Sequence, residues 1–235
     1  MADIACWAFV PAAGSGERMG PGRRKQYLPL LGKPLVLHAL ETLLAHPAVR
    51  GVLVGVAADD PEWAQVAPRH EKMLGQTRGA DSRAGTVLAG LEGLARYAAA
   101  ADWVMVHDGA RPCLTGEDVD RLLEALGADA DGVVPGVPVA ETVKRAGDDG
   151  IVAETVPRHG LWLAQTPQVF RLGELTTALE SALAQGAGIT DEASAMERAG
   201  FRVRMVEGRR GNIKVTCPGD LVLARHFLAD HRNGA

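Results

Sequence analysis

Between Val10 and Tyr27 the chain reads VPAAGSGERMGPGRRKQY, with glycines at 14, 16, 20 and 22 set among Arg18, Arg23, Arg24 and Lys25. Glycine lets backbone N–H groups close on an anion, and Arg and Lys supply compensating charge, so this spacing is suited to holding a phosphate. Two familiar phosphate loops do not fit. No glycine precedes Lys-Ser or Lys-Thr at Walker spacing, and a dinucleotide fingerprint would need glycine where Met19 stands. What remains is A-A-G-x-G-x-R-M-G followed by R-K-Q-Y, in which Gly14 and Gly16 open backbone room while Arg18 and Lys25 bracket it.

The elements that must carry this loop can be read from apolar spacing. Residues 4–10 form a short buried strand that runs into the loop, and Leu35, Ala39, Leu40, Leu43 and Leu44 fall at helical intervals after it. GVLVGVAA at 51–58 and DWVMVHDGARP at 102–112 are further strands, the latter ending on Asp108. Continuous apolar strands separated by helices predict a doubly wound, mainly parallel α/β sheet covered on both faces. Ligands bind such sheets at the carboxyl ends of the strands, where Asp108 stands.

A helix beginning near 82–86 carries Val87, Leu88, Leu91 and Leu94. Another is capped by Thr115 with Asp118 at capping-box spacing and stopped by Gly127. DGVVPGVPV is a strand, and residues 142–158 hold two short β-prone runs around Gly-Asp-Asp-Gly, which predicts a hairpin inserted as an arm over 137–159. Such an arm has little core of its own and should lean on another subunit. Two helices, with Thr190 capping the second, then strands at RVRMVEG and NIKVT, and a last helix opened by Pro218 complete a single domain of 1–235.

With 47% hydrophobic and 23% charged residues and a net charge of −4, the composition is that of a globular protein and argues against a general nucleic-acid binder. No apolar run is long enough to span a membrane, and no signal peptide is expected from MADIACWAFVPAAG. Cys6, Cys113 and Cys217 are odd in number and lack C-x-x-C spacing, which fits a reducing cytoplasm better than a disulfide framework or a zinc site. They read as small buried hydrophobes, and His107 as a packed histidine.

In chain order, VPAAGSGERMG, RKQYLPL, VLAGL, VHDGARP, ETVKRA, RHGLWLAQTPQVF, ITDEASAME and VEGRRGNIKVT resemble the sugar-nucleotide and alditol nucleotidyltransferases. Within them the likeness is to the 2-C-methyl-D-erythritol 4-phosphate cytidylyltransferase family, and it covers nearly the whole chain. The resemblance implies a Rossmann-like nucleotidyltransferase fold and cytidylyl transfer from CTP to methylerythritol phosphate with Mg²⁺. It also implies residue roles: Arg18 and Lys25 in catalysis; Ala12, Ala13, Gly14, Gly16, Asp81, Thr86 and Lys214 around the nucleotide; Asp108 for the metal; and Asp108 and Arg111 for the alditol phosphate. Thr166, Thr190 and Asp191 match further substrate-side positions. Thr142 and Arg158 match residues that the arm carries into a neighbour's site, which implies a homodimer with exchanged arms.

Four departures from the family pattern are visible: Arg24 stands where proline commonly precedes the lysine, Ala80 where glycine is common before Asp81, Thr86 where serine is frequent, and Gly109 where alanine is common. Two rival readings are a ribitol 5-phosphate cytidylyltransferase and a noncatalytic nucleotide-binding regulator. The arm and the ITDEAS run favour methylerythritol, and the joint presence of Arg18, Lys25, Asp108 and Lys214 favours turnover.

Overall fold

In a computed structural model, residues 4, 6–14, 24–58, 60–127 and 129–233 are described, the last three by backbone alone. Strand β1 (Cys6–Pro11) shows why a doubly covered sheet forms. Its residues alternate between two cores: Ala8 and Val10 pack with one cluster, Phe9 with the other, and all three are fully buried. A strand buried on both faces needs apolar residues at every position, and hence helices on both sides.

The chain continues through a small hairpin, β2 (Pro29–Leu30) and β3 (Lys33–Pro34), into α1 (Leu35–Ala45) and β4 (Val49–Val56). It then forms α2 (Pro61–Val66), β5 (Met73–Arg78), α3 (Arg83–Leu94), β6 (Trp103–Val106), α4 (Gly116–Glu124) and β7 (Gly132–Pro138). A separate two-stranded hairpin, β8 (Val143–Ala146) with β9 (Val152–Val156), interrupts the main sheet. After it come β10 (Trp162–Ala164), β11 (Gln168–Arg171), α5 (Leu172–Ala184), α6 (Glu192–Arg198), β12 (Val203–Glu207) and α7 (Pro218–Asn233).

The main sheet runs β10-β7-β11-β6-β1-β4-β5, with β12 on β7. Strands β6, β1, β4 and β5 are parallel, while β11 lies antiparallel between β6 and β7. From β1 the chain moves outward to β4 and β5, then returns to β6 on the other side of β1. That reversal opens a crevice beyond the carboxyl ends of β1 and β6. Helices α1 and α4 cover one face and α3, α5 and α6 the other. A third, smaller cluster of Leu30, Leu35, Cys113, Val215 and Ala224 seats α7.

Two expected features differ. Helix α4 ends at Glu124, short of Gly127, although Thr115 and Asp118 form the expected reciprocal capping box. The NIKVT segment is not a strand. Its backbone is taken up elsewhere: the Asn212 carbonyl accepts from Arg111 and Gln165 side chains, and Val215 N–H donates to the Ala110 carbonyl. Strand β5 and helix α2 were not anticipated, since MLGQTR on the sheet edge is largely polar.

Gly90 is where α3 presses closest to the sheet, since a Cβ there would lie 2.1 Å from the buried Phe9 ring. Gly90→Ala gains about 1 kcal/mol of helix propensity but overpacks a closed site, which costs about 1–3 kcal/mol. We therefore expect a net loss of up to about 2 kcal/mol in urea unfolding. A midpoint at or above that of the parent would show that Phe9 yields freely.

Candidate active site

Three segments meet in the crevice. Pro11–Gly14 leave β1, residues 79–83 leave β5 into α3, and residues 107–111 leave β6. Gly79 lets the second approach the first, because a Cβ there would fall 2.3 Å from the Ala13 Cβ. Together they line a cavity of about 470 Å³ with Ala12, Ala13, Gly14, Lys25, Gln26, Asp81, Thr86 and Lys214 on its walls. A second cavity of about 210 Å³ is lined by Arg111, Thr166, Gln168, Thr190 and Asp191. Arg83, Asp108 and Lys214 belong to both, so they form a common wall.

The wall is built of opposed charges. Asp108 Oδ1 accepts from Arg83 Nε and Nη2 at 3.0 and 2.9 Å, and Oδ2 lies 2.7 Å from Lys214 Nζ. Arg83 reaches onward to Glu192, with Nη1–Oε1 at 2.7 Å and Nη2–Oε2 at 3.2 Å. Burial raises the Asp108 pKa, but Arg83, Lys214 and Arg111 outweigh it and hold the carboxyl well below the usual range. Burial also works against the Arg83 charge, yet Glu192 and Asp108 keep it protonated. For the fully buried Glu192, burial wins and its pKa moves up despite Arg83.

Asp108 is also fixed through its backbone. Its N–H donates to Thr166 Oγ1 at 3.0 Å, and that hydroxyl sits 3.1 Å from His107 Nδ1. His107 Nε2 lies 3.0 Å from the Arg111 carbonyl, which can only accept, so Nε2 carries the proton and Nδ1 accepts from Thr166. Burial lowers the His107 pKa to about 4, keeping the ring neutral near pH 7.

Lys214 rides on the loop after β12, which is pinned by side chains. Arg209 grips the buried Asp118 and the Cys113 carbonyl, Gln165 donates to the Arg209 carbonyl, and Asn212 donates to that of Thr166. Arg111 Nη1 holds the Asn212 carbonyl at 2.8 Å, and burial lowers the Arg111 pKa.

Of the residues singled out from sequence, Ala12, Ala13, Gly14, Lys25, Asp81, Thr86 and Lys214 are brought together in the larger cavity. Arg111, Thr166, Thr190 and Asp191 meet in the smaller one, and Asp108 serves both. Gly16 and Arg18 lie outside the described residues. Thr142 and Arg158 line neither cavity; both are exposed on the hairpin, where Arg158 donates to the Ala140 carbonyl. The hydroxyls of Thr166 and Thr86 are engaged within the protein, the latter with the backbone of Ala80. The cap of α6 is Asp191, not Thr190: its Oδ1 accepts from Ser194 N–H and Oδ2 from Gln168, a reach that the Thr190 side chain does not supply.

Arg83 was missed by sequence reasoning, and a signal existed. A cation in the first turn of a helix opposes the helix dipole, so its presence after Ser82 implies carboxylates nearby. Gln26, which donates to the Ala12 and Gly14 carbonyls, and Asn212 carried no such signal.

A nucleotide-sized cavity at the reversal of an α/β sheet, joined to a second across a wall of phosphate-compatible cations, defines a nucleotidyltransferase. Residues 6–230 match the model of the family described as IspD, 2-C-methyl-D-erythritol 4-phosphate cytidylyltransferase. The Pseudomonas aeruginosa PAO1 protein of that name is 49% identical over 225 residues, spanning 95% of this chain and 96% of that one. A crystal structure of 4-diphosphocytidyl-2C-methyl-D-erythritol synthase superposes with a TM-score of 0.83 at 37% identity, covering 96% of this chain and 99% of the other. That of the Francisella tularensis cytidylyltransferase gives 0.82 at 32% identity, covering 94% and 99%. The chain belongs to the 2-C-methyl-D-erythritol 4-phosphate cytidylyltransferase family.

The neutral His107 makes stability depend on pH. Unfolded, the ring takes a proton near pH 6.5, while the folded ring resists until about 4, so stability present above pH 6.5 is lost as pH falls toward 4. The loss should reach about 3 kcal/mol. His107→Gln should flatten this part of the profile of unfolding free energy against pH, and an identical slope in the variant would exclude the ring as its source.

Proposed function

We propose that the chain transfers the cytidylyl group of CTP to 2-C-methyl-D-erythritol 4-phosphate, giving 4-CDP-2-C-methyl-D-erythritol and pyrophosphate in nonmevalonate isoprenoid synthesis. The observation that carries this reading is the pair of cavities sharing Arg83, Asp108 and Lys214. Two adjoining cavities that share three charged residues can bring the phosphates of both reactants to the same charges and to each other, as an in-line transfer between two phosphates requires.

The larger cavity takes CTP, its phosphates cradled by the backbone of Ala12, Ala13 and Gly14 and its nucleoside set against Asp81 and Thr86. The smaller takes the alditol phosphate, with Arg111 as its cation and Thr166, Thr190 and Asp191 around the polyol, while Lys214 on the shared lining reaches the nucleotide phosphates. A phosphate oxygen of the alditol attacks the α-phosphorus of CTP. The bond from that phosphorus to the β-phosphate bridging oxygen breaks, and pyrophosphate departs with the electron pair. Arg18 and Lys25 stabilise the charge that develops on the transferred and leaving groups. A phosphate monoester is largely dianionic at neutral pH, with a second pKa near ~6, so the nucleophile needs positioning and not a base.

The donor set fits Mg²⁺ brought in with the triphosphate. Among the described residues no cluster of three His, Cys, Asp or Glu side chains forms a protein cage, and Mg²⁺ characteristically takes one or two carboxylates plus phosphate oxygens and water. Asp108 receives three N–H donors from described residues, which leaves a carboxylate lone pair for such an ion. Bound there, the metal would neutralise phosphate charge.

In this reading residues 1–235 are one nucleotidyltransferase domain and 137–159 its arm. Among the described residues the arm's strands pair only with each other, and Ile151 and Val152 are exposed on it, which supports docking onto a second copy that receives Thr142 and Arg158. The exposed Cys217 and the buried Cys6 and Cys113 are all free thiols, which supports a cytoplasmic setting. No described helix is long and apolar enough to cross a membrane.

Pyrophosphate release should require CTP and methylerythritol phosphate together when CTP, UTP and ATP are crossed against methylerythritol phosphate and ribitol 5-phosphate; turnover with ribitol 5-phosphate would overturn the assigned alditol cavity. Lys25→Ala should lower kcat by about 10², and Thr142→Ala should mainly raise KM for the alditol phosphate. An effect of the latter confined to CTP would remove the arm from the alditol site.

A further inference from the structure

Lys25 opens the 3-10 turn Lys25–Tyr27, and the residues around it are fastened to distant parts of the molecule. The Gln26 amide donates to the carbonyls of Ala12 and Gly14 at 2.6 and 3.2 Å, locking the turn to the loop after β1. Arg24 Nη1 and the Tyr27 hydroxyl converge on one oxygen, Asp60 Oδ2, at 3.1 and 2.8 Å. The other oxygen, Oδ1, accepts from the N–H groups of Glu62 and Trp63 at 3.2 and 3.3 Å and so starts α2.

Asp60 is therefore anchored to a helix by one oxygen and presents the other to the two residues that flank Lys25 and Gln26. Its side chain is 2% exposed, against 35% for Arg24. A helix cap alone does not call for such burial, since caps serve equally well at the surface. An ionised carboxylate withdrawn from water must be paired and hydrogen-bonded, and Arg24 and Tyr27 meet that need. The backbone of Arg24 sits at φ −59°, ψ 136°, a φ that a proline ring would impose covalently. Here a flexible residue holds it, with its guanidinium tied down.

We propose that Asp60 is a positioning residue for Lys25: through Arg24 and Tyr27 it fixes the turn that delivers the Lys25 ammonium to the larger cavity. The proposal rests on the reading of Lys25 as the group that stabilises charge on the triphosphate. Asp60 lines neither cavity, so its part is to act through the lysine.

Asp60→Asn keeps a capping oxygen for α2 but turns an N–H₂ donor toward Arg24 and Tyr27. A misplaced catalytic group loses roughly 10- to 10²-fold in rate, so kcat should fall within that range while KM for the alditol phosphate stays within about twofold of the parent. In a Lys25→Ala background, Asp60→Asn should bring no further loss. Additive losses, or a loss expressed only in KM for the alditol phosphate, would overturn the proposal. A full kcat in Lys25→Ala itself would overturn the reading of Lys25, and this proposal with it.

A second pair of variants leaves the buried carboxylate in place. Arg24→Ala should be slowed, and Arg24→Pro, which removes the same charge but restores the φ constraint, should turn over at least about fivefold faster than Arg24→Ala. Equal impairment of the two would mean that the Arg24 charge acts directly on substrate, against the proposal.

Discussion

A carboxylate at the bottom of the crevice sets the terms for the rest of the molecule. Asp108 is 7% exposed, and an isolated charge so placed would give up several kcal/mol of solvation. Its two cations come from distant segments: Arg83 from the first turn of α3 and Lys214 from the loop after β12. Arg83 in turn binds Glu192 at the start of α6, so four separate pieces of chain converge on one balanced set of two acids and two bases. Removing Arg83 would take from the buried Glu192 the cation it binds, and removing Asp108 would take a carboxylate from both Arg83 and Lys214.

The ties that hold the surrounding loops divide into two systems. On one side, His107, Thr166 and the Asp108 backbone form a hydrogen-bonded series with a single workable tautomer, and Arg111, Asn212 and Gln165 extend it to the Lys214 loop. On the other, Gln26, Asp60, Tyr27 and Arg24 hold the turn that carries Lys25. The first system supports the smaller cavity and the common wall, the second the phosphate loop. Both place cations through side-chain hydrogen bonds, and the second is anchored on the first turn of α2 by Asp60.

The parts of this arrangement that were legible in the sequence are those in which local composition and final environment agree. Strands β1, β4 and β6 are apolar at nearly every position because both faces are buried, and the cap at Thr115 with Asp118 declares itself by residue type and spacing. The glycine loop and Asp108 stood out for the same reason. What escaped were features settled by tertiary partners. MLGQTR is an edge strand with little burial, NIKVT looks β-prone yet spends its backbone on side chains, and Asp191 took the cap from Thr190 because Gln168 holds its second oxygen. Arg83 drew no assignment from the sequence because the two buried carboxylates it pairs with lie 25 and 109 residues away along the chain.

The shared wall has a consequence for inhibition. A compound confined to either cavity must bind on the strength of that cavity alone, and both carry the charged Arg83, Asp108 and Lys214 on their walls. A single molecule reaching past Arg83, Asp108 and Lys214 would occupy both, and its second half would bind at an effective concentration set by the tether instead of by the bulk solution. Two weak fragments joined across that wall would therefore act as one strong ligand, without either half having to find a hydrophobic pocket.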